Sequence, residues 1–210
     1  MANFPFRHRR LGALPQPRDN RDYMLARYMP ELDYNVVGDI AGLASDLSMY
    51  LPPAEDQDGI GSCTGYGGGG MMETVAKGLG IPLGSVSKLA MYYLARQLGG
   101  FSPTGDTGAY IRDVVRALAV YGAVYKGLHS DLNPQSQFRV APSQTALAEA
   151  LSHQALDYIS VPIDVQTVKN ALASKYPVVY GIPIYSNFPQ FGQFENIPMP
   201  SGSLLGWHCM

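Results

Sequence analysis

The amino-acid sequence predicts an α+β fold in which helices dominate the first half and strands the last third. Apolar residues recur at helical spacing in separate segments from residue 85 onward, and Ser, Asp and Gly stand where those helices would start and stop. A β-branched and aromatic run follows Pro177, as a strand requires. With 210 residues, 46% of them apolar, the chain is long enough for one substantial core.

Residues 1–48 are rich in Arg, Pro, Asp and Tyr and weakly periodic, and read as an extended leader packed on a domain formed by residues 49–210. From Ser85, the residues Val86, Leu89, Ala90, Tyr93, Leu94 and Leu98 align on one helical face, and Gly99-Gly100 supply the stop. Ile111, Val114, Val115 and Leu118 repeat the pattern, with Gly122 as C-terminal cap. A third helix is expected after Pro142-Ser143, using Leu147 and Leu151. Asp164 can cap a fourth, carrying Val165, Val168 and Leu172, because its carboxylate can accept from unpaired first-turn amides. Residues 178–185 read as a strand, and residues 186–203, rich in Pro, Gly, Asn and Phe, as a long loop.

The 15 Lys and Arg nearly balance the 17 Asp and Glu, so no global attraction to nucleic acid or a membrane surface follows. The one basic run, Arg7-His8-Arg9-Arg10, reads as a solvated terminus. No stretch approaches the roughly 18 to 20 apolar residues of a membrane span, and the N-terminus lacks the apolar core of a secretory signal. His8, His129 and His153 have no catalytic context and read as surface residues; no His/Cys/carboxylate spacing suggests a metal site, and no cofactor is implied.

Two motifs carry chemistry. Gln57-Asp58-Gly59-Ile60-Gly61-Ser62-Cys63 sets a glutamine six positions ahead of a cysteine, and Gly206-Trp207-His208 sets a glycine-flanked histidine late in the chain. A cysteine nucleophile with a distant base would read this way. The pattern resembles the papain-like cysteine peptidases of bacterial and viral type, in which an oxyanion-hole Gln precedes Gly-Ser-Cys at the start of a long helix and a glycine-flanked His lies on a later strand. The likeness extends to the leader segment Leu14-Pro15-Gln16-Pro17-Arg18-Asp19-Asn20-Arg21-Asp22-Tyr23, to Asp46-Leu47-Ser48, and to Leu51-Pro52-Pro53-Ala54-Glu55-Asp56-Gln57. It continues through residues 89–96, 106–113 and 168–182, and so covers nearly the whole chain. Trp207 stands where the family has a second glycine, and Cys209 follows the histidine.

The resemblance implies a two-lobed fold, a helical lobe facing an antiparallel β lobe across a cleft, and peptide-bond hydrolysis through an acyl-thioenzyme on Cys63. His208 would be the base, Gln57 would donate to the oxyanion, and the substrate would be a peptide or protein. Gly108 aligns with the family's substrate-contacting glycine, with a turn glycine as the structural alternative. Tyr185, Phe188 and Trp207 are candidates for an apolar subsite or for ordinary packing. Cys63 would be an accessible, acid-shifted thiol at a helix start. Secreted relatives carry several disulfides; with only Cys63 and Cys209, a cytoplasmic or virion-associated setting fits better. A disulfide between the two is sterically conceivable, although the chemistry argues for a free Cys63.

Two departures shape the remaining expectations. Gly65, Gly67, Gly68, Gly69 and Gly70 occupy the start of the nucleophile helix, and at about 1 kcal/mol per glycine relative to alanine that helix is either held by packing or irregular. The family's orienting Asn and further strands follow the histidine, whereas Met210 stands two residues after His208. The β lobe is therefore expected to be incomplete without a partner that completes the sheet, with little activity for the isolated chain. The competing reading is a noncatalytic structural or binding component, such as a viral or phage assembly protein, on the same fold. A different thiol acyl-enzyme, such as a peptidoglycan amidase or transglutaminase, fits the Gln-to-Cys spacing less well.

Overall fold

The structure, a computed structural model, describes residues 10–19, 22, 46–188 and 198–210. Six α-helices are present among these residues: α1 (Cys63–Gly78), α2 (Lys88–Leu98), α3 (Ile111–Val120), α4 (Pro134–Gln137), α5 (Gln144–Ala150) and α6 (Val165–Ala173). Strands β1 (Gly181–Tyr185) and β2 (Leu204–Cys209) follow and pair antiparallel, with Gly181 opposite Cys209 and Ile182 opposite His208. The order is α+β, as the sequence predicts. None of these helices is long and apolar enough to cross a membrane.

Helix α2 is the centre of the main core. Leu89, Ala90, Met91, Tyr92, Leu94 and Ala95 are all buried, so the helix is enclosed on more than the single face its periodicity suggests. Its buried N-terminus needs internal acceptors for its first amides. Ser87 Oγ accepts from Ala90 N, and the Asp131 carboxylate accepts from the amides of Lys88 and Leu89 at 3.0 Å each. Val86 lies before the helix, in a bridge with Tyr125. The Ser87 hydroxyl also donates to Asp131 at 2.8 Å and lies 3.0 Å from His129 Nδ1, while His129 Nε2 meets the Val140 carbonyl at 3.1 Å. His129 is therefore a buried strut, not the surface residue its lack of motif suggested. His153 is half-buried and lies 3.2 Å from Glu149; His8 falls outside the described residues.

The glycine run forms a regular helix, and its neighbours explain why. A Cβ at Gly65 would lie 2.4 Å from the Lys88 carbonyl oxygen, one at Gly68 2.2 Å from Val114 Cγ1, and one at Gly67 2.7 Å from Cys209 Sγ. The missing side chains let α1 approach α2, α3 and β2 more closely than any larger residue would permit. Close packing thus offsets the propensity cost, which is the first of the two outcomes the composition allowed.

The predicted cap at Asp164 is present, accepting from Thr167 N, and the helix expected after Pro142-Ser143 begins there with Ser143 accepting from Ala146 N. The inward faces differ from expectation. Leu151 lies in a 3-10 turn after α5 and is exposed, and Val165 is exposed while α6 buries Asn170 and Ala171. Short helices expose their end residues wherever the chain turns away from the core. The strand predicted for residues 178–185 begins at Gly181, although Tyr180 and Met210 exchange backbone hydrogen bonds just beyond it. Of the long loop, residues 189–197 lie outside the description; Asn187 braces the rest, donating to the Met199 carbonyl and accepting from Ser201 N.

Candidate active site around Cys63

Cys63 opens α1, and β2 crosses beside it. The backbone amides of Cys209, Gly12, Thr64 and Ala13 lie close enough to the sulfur to act on its ionisation. Two of these belong to the leader. Residues 10–14 run extended through the space between the Gly108 loop and β2. The Ala109 amide donates to the Gly12 carbonyl (2.9 Å), the Leu14 amide to the Ala109 carbonyl (3.0 Å), and the Ala13 amide to the Trp207 carbonyl (3.2 Å). We call this segment the strap.

The strap fits only because glycines meet. A Cβ at Gly12 would stand 1.8 Å from the Gly61 carbonyl oxygen, and one at Gly108, whose φ is +77°, would stand 2.4 Å from the Gly12 carbonyl oxygen. Farther along, the Arg112 amide donates to Gln16 Oε1, and the Arg112 guanidinium donates to the Pro17 carbonyl and pairs with Asp22 at 2.5 Å. Arg21 and Tyr23 lie outside the described residues.

Gln57 is buried, and its side-chain amide donates to the Ile60 carbonyl and to the Arg10 carbonyl of the strap, both at 2.9 Å. It thus already holds a peptide carbonyl of the strap. Gly108 and Trp207 touch the strap through backbone, the latter by its carbonyl oxygen. The Trp207 side chain packs, half-buried, against the small cluster of Ala13, Cys63 and Cys209. His208 is half-buried on β2, next to the residue whose amide faces the sulfur.

The electrostatics depart from the expected acid-shifted thiol. Cys63 is 1% exposed, and burial pushes its pKa up against the weaker pull of the surrounding amides. Burial likewise lowers the pKa of His208. Burial therefore biases both groups toward their neutral forms. Cys209, also buried, is pushed well above the ordinary thiol range by desolvation and then by Cys63, and both cysteines are free.

Sequence reasoning missed four contributors. Asp106 accepts from the Gly61 amide (3.0 Å), the Tyr92 hydroxyl (2.7 Å) and the Arg10 guanidinium (2.8 Å), and the Tyr92 hydroxyl in turn accepts from the Gly108 amide (2.9 Å). Arg10 is consequently an anchored residue, unlike the solvated terminus assigned to its basic run. Asp106 stands two positions before Gly108, so the motif around that glycine was the available signal; Gly12 had none. A surface groove of about 280 Å³, lined by residues including Tyr50, Pro52, Lys77 and Ile81, shares no lining residue with this site.

No family model and no curated protein sequence matches the chain. Solved structures do. The chain is similar to xylellain, a cysteine protease from Xylella fastidiosa, with 27% identity and a TM-score of 0.76 over 95% of this chain and 77% of that one. It also superposes on proCathepsin B S9 from Trypanosoma congolense with a TM-score of 0.55 and 12% identity, over 95% of this chain and 68% of that one, a likeness of fold alone. The fold is that of the papain-like cysteine peptidases.

Proposed function

We propose that the chain is a cysteine peptidase held in a closed state by its own leader. The observation that carries this reading is the strap itself: a peptide bound by backbone hydrogen bonds on both walls of the cleft, directly over Cys63. A cleft that holds one extended peptide this way has the donors and acceptors to hold another. The 27% identity to a cysteine protease supports the same conclusion.

When the strap leaves, Cys63 gains solvent and the desolvation that holds it neutral falls away. His208 takes the thiol proton, and the thiolate attacks the carbonyl carbon of a bound peptide. Gln57 Nε2 and the Cys63 amide donate to the oxyanion, a kind of contact whose loss typically costs about 3 to 4 kcal/mol of barrier. The imidazolium then protonates the departing amine, and water hydrolyses the thioester, returning the thiol. The strap is poorly placed for this attack because it turns the Gly12 and Ala13 amides, not a carbonyl carbon, toward the sulfur. Residues 1–48 thus act as a pro-segment, and residues 49–210 as the peptidase domain.

A peptidyl vinyl-sulfone probe tests the reading. Labelling and peptide turnover should be weak in the wild-type chain, strong in a strap-weakened Gly12→Ala chain, and abolished by Cys63→Ala. Turnover that survives Cys63→Ala, or a folded Gly12→Ala chain that neither labels nor turns over peptides, would overturn it.

A further inference from the structure

The Asp106 carboxylate is the least explained charge in the cleft. Its side chain is 10% exposed, and it lies between the loop that leads into Cys63 and the glycine that touches the strap. Two of its partners, the Gly61 amide and the Tyr92 hydroxyl, are neutral and belong to the domain. The third is the Arg10 guanidinium, which arrives with the strap, is 58% exposed and meets Oδ2 at 2.8 Å. Arg96 is the other cation in its field, but that guanidinium lies fully buried 3.9 Å over the Tyr92 ring, donating to the carbonyls of Tyr92, Gly105 and Phe138. It cannot turn to face the cleft without abandoning those acceptors.

We propose that Asp106 is a specificity-determining residue: once the strap departs, its Oδ2 selects peptide substrates carrying an arginine or lysine side chain where Arg10 now sits. This rests on the peptidase reading above. Arg10 is the stand-in for that side chain, and its main chain is also held as a substrate's would be, through the Gln57 amide on the Arg10 carbonyl. Departure of the strap leaves the Asp106 carboxylate with its two neutral donors and, among the described residues, no cation in the place of Arg10, a position an incoming guanidinium or ammonium fills with a charge-assisted hydrogen bond. Because one partner of the pair is exposed, the discrimination is expected near tenfold, not hundredfold.

The test has two arms on the full chain. In the first, iodoacetamide alkylation of Cys63 reports strap opening. Arg10→Met and Asp106→Asn should each raise the rate about tenfold, and the double variant should match either single one, because both remove the same pair. In the second, Gly12→Ala chains are given a peptide library in which arginine and the uncharged, unbranched norleucine are exchanged position by position. At one position kcat/KM should favour arginine about tenfold, the preference should shrink with added salt, and it should vanish in Gly12→Ala/Asp106→Asn. Equal turnover of arginine and norleucine peptides, or a preference that survives Asp106→Asn, overturns the proposal and leaves the peptidase reading standing. No Cys63-dependent turnover at all defeats the peptidase reading and confines Asp106 to holding the strap. Should Asp106→Asn fail to fold, the arginine preference and its salt dependence in Gly12→Ala alone decide the matter.

Discussion

Replacing Gly12 with alanine should open the cleft. The new Cβ would meet the Gly61 carbonyl oxygen at 1.8 Å and its carbonyl carbon at 2.2 Å, and both are backbone atoms one residue from Ser62 at the head of α1. No side-chain rotation relieves such an overlap, so the strap itself must shift. A shift at Gly12 breaks the register of its three main-chain bonds to Ala109 and Trp207 and the Gln57 contact to the Arg10 carbonyl. At about 1 kcal/mol net for each of these four bonds, the closed state loses about 4 kcal/mol, or roughly a thousandfold in its opening equilibrium. Alkylation of Cys63 by iodoacetamide reads that equilibrium, because a thiol that is 1% exposed reacts only when uncovered. The expected rate rises by two to three orders of magnitude, up to the ceiling set by a freely accessible thiol. An alkylation rate within twofold of wild type, in a variant with an unchanged unfolding midpoint, would refute the covering role of the strap.

Three further outcomes follow from the same contacts. Strap opening should be slow below about pH 8.5 and quicken above it: the raised pKa of Cys63 stabilises the closed form below the ordinary thiol range, and that stabilisation is lost as pH rises through it. Alkylation rates corrected for thiolate fraction across pH 5 to 10 should trace that rise, and a flat profile would contradict it. Gln57→Ala should raise Cys63 alkylation about fivefold by removing one strap contact while lowering probe-dependent turnover of the opened chain; unchanged alkylation would mean the Arg10 contact adds nothing. Gly65→Ala should cost a net 1 to 2 kcal/mol or so, because overpacking against the Lys88 carbonyl at 2.4 Å outweighs the gain in helix propensity, and calorimetry should show a Tm lower by roughly 2 to 8 °C. A raised Tm would show that α1 and α2 can part without penalty.

Legibility in the sequence follows the range of the interaction. Caps and periodic faces are set by residues three or four apart, so Ser143, Asp164 and the course of α2 and α3 could be read directly. The glycine run could not, because its meaning lies in what it meets. Gly65 is explained by the Lys88 carbonyl, Gly68 by Val114 and Gly67 by Cys209, partners distant in the chain that no local propensity reports. His129 is the same case in polar form. Nothing near it in sequence indicates that Ser87 and the Val140 carbonyl enclose its ring.

The site divides along the same line, and the division bears on its chemistry. Gln57 and Cys63 lie six residues apart, and the family resemblance they carry implied an oxyanion donor near a thiol; in the structure the Gln57 side-chain amide donates to the Ile60 and Arg10 carbonyls. The expectation of an ionised thiol failed because it treated the helix start and the imidazole as the whole environment. Burial outweighs the pull of the neighbouring amides on Cys63 and raises its pKa, with Ala13 of the strap in the cluster that encloses the sulfur, and burial separately lowers the pKa of His208. On the proposed reading the same residues belong to a quiescent site or a reactive one, according to the occupancy of the cleft by residues 10–14. A nucleophile kept neutral by a removable cover needs no change in its own sequence motif to be switched on. On that reading the information that decides reactivity lies in Gly12 and Arg10 and in the surfaces that receive them, Gly61, Gly108 and Asp106.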